Sequence, residues 1–232
     1  IALSDDNTWT GDNIFNESVE TGGGKKVNKL LTKTYEDYFV NSGVTSNIPT
    51  NSAWTFSNIS GSGVGAMVDG IDGGYQITCS GGAEKSQIWF NDASRHFNPA
   101  NCTIYGIITE LSGNATNVFW GLVDAIDPST GADSVGAYNA NGLLNIQSAD
   151  GTTRSQQSTG ISYSEGAKNQ FKIVCTSANL KIYTIASDVW VLRVTKTSNR
   201  PSDACQPTFW VNNGGGTSGT GSISYGKIEN DT

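Results

Sequence analysis

The chain has one histidine, one methionine and five prolines, and only 15% of its 232 residues are Asp, Glu, Lys or Arg. A histidine-based catalytic triad would have to use His96, which stands in a loop-like stretch with no Gly-x-Ser-x-Gly elbow nearby. Basic residues are scarcer still, 14 against 21 acidic ones, giving a formal charge of −7. That balance argues against a nucleic-acid partner, since phosphate binding needs clustered Lys or Arg. No apolar run approaches the roughly 18 residues of a membrane-spanning helix, so no membrane insertion is expected. The cysteines, Cys79, Cys102, Cys175 and Cys205, are too far apart for a C-x-x-C metal or redox motif; Cys79 and Cys175 end apolar stretches, where a buried thiol is favoured over a disulfide.

Catalytic carboxylates are also missing from the pattern. A glycosidase of the laminarinase type would show Glu-x-Asp-x-x-Glu on one strand face, two carboxylates being needed as nucleophile and acid. Glu110 has no acidic residue two or four positions away. The sequence therefore predicts a protein that is not an enzyme, with no cofactor and no catalytic residue. Acidic loops, Asp124, Asp127 and Asp133, and the pair Asp69 and Asp72, offer oxygens of the kind Ca²⁺ takes. Their spacing matches no EF-hand, and Asp beside Gly is ordinary turn chemistry, so no metal site is assigned.

What the chain does have is 6 Trp, 8 Tyr, 8 Phe and 28 Gly. Aromatics with many small and turn-forming residues indicate a β protein. From Trp54 onward, strand patterns recur between explicit turns such as Asp72-Gly73-Gly74, Asn141-Gly142 and Asp150-Gly151. The stretches 103–111 and 117–125 are apolar on both faces and are expected to be central strands. In 188–195, Trp190, Leu192 and Val194 are expected on one face, with Val189, Val191 and Arg193 on the other. In 208–212, Phe209 and Val211 oppose Trp210. Trp89, Phe90, Trp120, Trp190 and Trp210 suit a core or an interface, or less simply a sugar-stacking platform. Trp120 and Trp210 stand in strands whose other face is also apolar, so one of them is expected to face outward.

The first fifty residues read differently. A segment carrying the aromatic anchors Trp9 and Phe15 is followed by Gly22-Gly23-Gly24. Over Lys25–Phe39, Val27, Leu30, Leu31, Tyr35 and Tyr38 recur at helical spacing, predicting a short amphipathic helix. Such a helix is marginal alone and needs a surface to cover. The chain is thus read as an arm, 1–50, that docks or oligomerises through these seven residues, and a β-sandwich, 51–232.

Val118-Phe119-Trp120-Gly121-Leu122-Val123-Asp124, then Gly142-Leu143-Leu144-Asn145-Ile146-Gln147-Ser148-Ala149-Asp150-Gly151, resembles a "GL-D … DG" pattern of phage virion proteins with concanavalin-like jelly-roll domains. The run from Arg200 to Asn212, closed by Ser222–Ile228, is similar to that family's ending, and Asn7-Thr8-Trp9-Thr10-Gly11 is similar to an element of phage fibre proteins. The resemblance implies an all-β, concanavalin-like jelly-roll sandwich on a non-enzymatic capsid-decoration or fibre protein at the virion surface. It further implies a homotrimer contacting other virion proteins such as the major capsid protein. The alternative is a lectin-like, carbohydrate-binding module that recognises a host-surface glycan.

Overall fold

A computed structural model of the chain describes residues 19–20, 26–27, 33–37, 54–68, 74–90, 97–112, 116–124, 127–140, 142–215 and 218–230. Its strands are β1 (Val19–Glu20), β2 (Lys26–Val27), β3 (Lys33–Asp37), β4 (Trp54–Ser60), β5 (Val64–Val68), β6 (Gly74–Cys79), β7 (Lys85–Phe90) and β8 (Cys102–Ser112). They continue with β9 (Thr116–Val123), β10 (Ser134–Ala140), β11 (Leu143–Ala149), β12 (Arg154–Ser162) and β13 (Lys168–Cys175). The last are β14 (Leu180–Ala186), β15 (Val189–Lys196), β16 (Gln206–Asn213) and β17 (Gly219–Asn230). No helix occurs among the described residues.

Two antiparallel sheets stack as a sandwich. One has seven strands in the order β12-β11-β10-β9-β16-β7-β4; the other has eight, seven of them in the order β15-β14-β13-β8-β17-β6-β5 and the eighth, β3, paired with β17 off that path. The both-faces-apolar strands β8 and β9 lie inside their sheets, flanked by β13 and β17 and by β10 and β16. Every second residue of each sheet faces the other, and these side chains form one core: Ile88, Phe90, Val118, Trp120, Leu122, Phe209 and Val211 from the first sheet, Tyr75, Ile77, Ile104, Ile108, Phe171 and Ile173 from the second.

Trp120 sets the spacing of that core. Its indole lies against Gly106 and Gly226, which face each other across β8 and β17. A Cβ at Gly106 would stand 2.5 Å from Trp120 Cδ1 and 2.7 Å from Phe171 Cζ, and one at Gly226 would also strike the indole. Trp120 Nε1 donates to the Tyr105 carbonyl at 2.9 Å, so the one polar atom of the largest core side chain is paired.

Where the structure describes the segment Lys25–Phe39, it has strand in place of the expected helix. Lys26–Val27 pairs with Val19–Glu20, and Lys33–Asp37 pairs with the half of β17 beyond β6, Tyr35 standing opposite Ile228. A helix of two or three turns gains little by itself. The open ladder of β17 offers backbone hydrogen bonds instead, and Thr34 and Tyr35 favour extended backbone. Of the seven docking residues, Val27 lies in β2 and Tyr35 in β3, while Trp9, Phe15, Leu30, Leu31 and Tyr38 fall outside the described residues.

The faces of β15 also need correction. Its register against β14 shifts between Ile182 and Tyr183. The bulge leaves Val194 in the core opposite Ile182, while Trp190 and Leu192 pair with Ile185 and Tyr183 on the outside. The four cysteines are buried free thiols. Cys102 stands opposite Cys175, and hydrogen bonding to Cys175 together with burial holds its thiol well above the ordinary range.

Close packing at Trp120 generates a stability prediction. Gly106→Ala is expected to cost about 1–3 kcal/mol by overpacking, and Trp120→Ala about 3–5 kcal/mol by leaving a cavity. Urea unfolding followed by circular dichroism reads both. A Gly106→Ala variant as stable as the parent would show that the indole can move aside.

Candidate functional site

The pleat that sends Trp120 inward sends Phe119 outward. On the face of the seven-stranded sheet turned away from the core, register aligns Tyr138 (β10), Phe119 (β9), Trp210 (β16), Gln87 (β7) and Ser57 (β4) in one row across five adjacent strands. Of the two tryptophans in doubly apolar strands, Trp210 is therefore the outward one. Tyr138 and Trp210 pack at 6.1 Å between ring centroids, and Phe119 and Val123 complete a second small apolar cluster. The Phe119 ring lies over a second glycine pair: a Cβ at Gly136, which faces Gly121, would stand 2.5 Å from it.

Polar groups on this face lack partners. Both amide atoms of Gln87, the indole nitrogens of Trp89 and Trp210, Ser57 Oγ, Ser134 Oγ and Asn212 Oδ1 are buried and make no hydrogen bond among the described residues. Gln87, Trp210 and Ser134 are 0% exposed. Folded proteins pair nine-tenths or more of such groups, and each one left unpaired costs about 1–3 kcal/mol. Six such side chains on one sheet face gather donors and acceptors that no described protein group engages.

The connection from β9 to β10 lies across the row. Lys85, on the same face as Gln87, donates to Asp127 Oδ2 at 3.1 Å and to Ser129 Oγ at 2.8 Å. From β11, Gln147 Nε2 donates to the Pro128 carbonyl at 2.6 Å, and Gln156 Nε2 in turn donates to Gln147 Oε1 at 3.0 Å. Residues 127–129 are thus tied to β7 on one side and to β11 on the other. The three strands between them, β10, β9 and β16, carry the aromatic row. Pro128 is itself buried.

The acidic residues singled out in the sequence separate. Asp127 goes to Lys85, while Asp124 and Asp133 meet Asp203, their carboxylate oxygens within 4.8 Å of one another. Asp133 Oδ1 accepts from Ser202 N at 2.7 Å. Burial, and then repulsion from Asp133 and Asp203, pushes the Asp124 carboxyl above the usual range. Asp69 and Asp72, like His96, lie outside the described residues.

Glu110 does not stand on the outer face of either sheet. It shares the inward parity of Ile104 and Ile108 and is buried, accepting a 2.9 Å hydrogen bond from the Tyr163 hydroxyl just past the end of β12. Burial pushes its carboxyl up, Tyr163 draws it back down and Glu165 raises it. It therefore joins the two sheets. The described outward positions on the strands of the seven-stranded sheet hold no Asp or Glu; the Asp127 carboxylate, in the connection between β9 and β10, pairs with Lys85 on this face.

No protein-family model matches the chain, and no curated protein matches it in sequence. Solved structures do match. The exoplasmic/lumenal domain of VIP36, in its Ca²⁺/Man3GlcNAc-bound form, superposes with a TM-score of 0.54 at 10% identity, over 78% of this chain and 84% of that one. The Crh5 transglycosylase gives 0.59 at 12% identity, over 86% and 85%. The β-glucanase of Bacillus licheniformis gives 0.57 at 9% identity, over 84% and 97%. The fold is therefore the all-β, concanavalin-like jelly-roll sandwich expected from the sequence. The expectation that the chain is not an enzyme is corrected by the same finding. A transglycosylase and a glucanase share the fold, so the absence of the laminarinase-type motif was no ground for excluding activity.

The carboxylate cluster gives the pH prediction for this region. A carboxyl whose pKa is raised on folding costs stability as pH rises through the raised value, and costs nothing below the unfolded one. Asp124→Asn is therefore expected to raise the melting temperature at neutral pH, the gain vanishing as pH falls below the ordinary Asp value of 3.8. Melting curves at pH 3 to 8 test this. A variant that melts lower at neutral pH would show that the carboxylate is needed at that corner.

Proposed function

We propose that the chain is a carbohydrate-binding jelly-roll module and that its binding surface is the outer face of the seven-stranded sheet. The observation that carries this reading is the row of Trp210, Phe119 and Tyr138 beside the unpaired Gln87, Trp89, Ser57 and Asn212. Sugars present apolar C–H faces that pack on aromatic rings and hydroxyls that both donate and accept. Indole N–H groups, hydroxyls and primary amides complement both kinds of group. A purely structural second core would be more stable with an apolar side chain at position 87, because an isolated buried amide costs free energy. The VIP36 domain, seen with Man3GlcNAc, supports the reading at the level of fold.

On the motif resemblance alone, we also propose a place for the module at a virion surface, presented as a trimer by residues preceding β3. Light scattering of the full chain against one lacking residues 1–32 tests the trimer; a monomer in both forms sinks it.

Gln87→Leu separates binding from folding. Removing an unpaired buried amide in favour of a side chain of similar volume is expected to leave stability unchanged or higher. Loss of its two hydrogen bonds to a sugar should weaken binding by about 10-fold or more, each bond being worth about 0.5–1.5 kcal/mol. A glycan array on the parent protein identifies the ligand, and calorimetry on the variant gives the ratio. The reading fails if no glycan binds, or if Gln87→Leu binds the array hit as tightly as the parent.

A further inference from the structure

The opposite surface of the sandwich is built differently. On the outer face of the eight-stranded sheet, register aligns Lys227 (β17), Tyr105 (β8), Lys172 (β13) and Tyr183 (β14), so cation and ring alternate across four adjacent strands. Trp190 joins the row from β15, edge-on to Tyr105 at 6.4 Å. Lys172 Nζ lies 4.8 Å from the centroid of Tyr183 and 5.1 Å from that of Trp190. Lys227 Nζ lies 5.8 Å from the Tyr105 ring. Alternation also puts Lys168 and Lys181 on this face.

Charge is unevenly placed here. The chain is acidic overall, at −7. Yet the outward positions of β8, β13, β14, β15 and β17 carry one carboxylate, Glu229, which is paired with Lys227 at 2.7 Å. On β3, Glu36 stands opposite Lys227, so both acidic positions lie at the β17 margin. Among the described residues no carboxylate pairs with Lys172; its ammonium is held by two rings instead. Beside it Ile185 and Leu192 are 38% and 46% exposed, an apolar margin to the cationic strip.

We propose that this face is a second binding site, for an acidic polysaccharide whose sugar rings carry carboxylates. Each part of the surface has a counterpart in such a chain. Ammonium groups pair with ring carboxylates in charge-assisted hydrogen bonds, and Trp190 with Leu192 meets the apolar faces of the sugars. Lys172 and Lys227 stand two strands apart, about 10 Å at the usual strand spacing, and so can engage charges on successive parts of an extended chain. Lys172 is already held between its rings, so little side-chain freedom is lost on binding. A nucleic acid fits less well, because its dense phosphate charge is repelled more strongly by a protein of net charge −7.

The test is affinity electrophoresis of the full chain in gels containing polygalacturonate, with neutral β-glucan gels as the control. The parent is expected to be retarded by polygalacturonate, and less so as salt is raised. Lys172→Glu should bind at least 10-fold more weakly, and Lys172→Arg should retain binding. Melting temperatures of all variants confirm that each is folded. Failure of the parent to be retarded overturns the proposal, as does equal retardation of folded Lys172→Glu. Equal competition by a single-stranded oligonucleotide would overturn it in favour of a nucleic-acid surface. Because the site lies on the other sheet, each of these outcomes is independent of glycan binding at Gln87.

Discussion

The sandwich depends on one contact, the Trp120 indole seated on Gly106 and Gly226 of the opposing sheet. Two sheets pack about 10 Å apart because side chains from both fill the gap. A tryptophan at the centre would force them wider unless the facing strands had no side chain there. The two glycines are register partners on β8 and β17, so the indole enters a notch of bare backbone and finds the Tyr105 carbonyl for its N–H. Phe171, directly opposite Gly106 on β13, closes the side of the notch. Residues from four strands thus fix the sheet separation.

The same strand repeats the device on its other side. Phe119 lies over Gly136 and Gly121, register partners on β10 and β9, as Trp120 lies over Gly226 and Gly106. One dipeptide therefore anchors the core inward and begins the aromatic row outward. The inward side chain has its polar atom paired, whereas in the outward row Trp210 Nε1 and the Gln87 amide do not. An unpaired buried group is tolerated in a stable fold only when the rest of the structure outweighs its cost. The rigidity set by Trp120 is what allows the outer face to hold such groups in fixed positions, as a preorganised binding surface requires.

Much of this was legible in sequence, and what was not has definite causes. β8 and β9 announced themselves as central by being apolar on both faces, and Phe209 and Val211 opposed to Trp210 gave the right faces for β16. β10, Ser134–Ala140, did not stand out, because Gly136 and Ala137 are small for reasons that lie on neighbouring strands. β12, Arg154–Ser162, is an edge strand of mostly exposed polar residues, so its pairing with β11 leaves no apolar alternation to read. The apolar spacing over Lys25–Phe39 satisfied a helix locally, but an open β17 ladder is a property of the assembled sheet. The bulge in β15 likewise reversed the face of Val194 relative to Trp190 and Leu192 without a mark in the residues themselves.

The candidate surfaces were hidden for a related reason. Gln87, Trp210 and Tyr138 are remote in sequence, and only antiparallel register makes them neighbours. The acidic residues between β9 and β10 read as one possible cation-binding loop, yet the fold divides them. Asp124 and Asp133 turn to Asp203, while Asp127 crosses the sheet to Lys85. That division links the two halves of the outer face. Asp127 sits next to Pro128, whose carbonyl holds Gln147, so the ion pair and the amide bond fasten a single turn over Phe119 and Trp210 from opposite sides. A ligand reaching the unpaired groups must displace this turn or enter beneath it. The Lys85–Asp127 pair is partly exposed, its side chains 29% and 14% accessible, and pairs of that kind contribute about 1 kcal/mol or less. The cover over the row is therefore weakly fastened on the Lys85 side and held on the β11 side by the buried Gln147 bond, while the floor beneath it is fixed by the packing of Trp120.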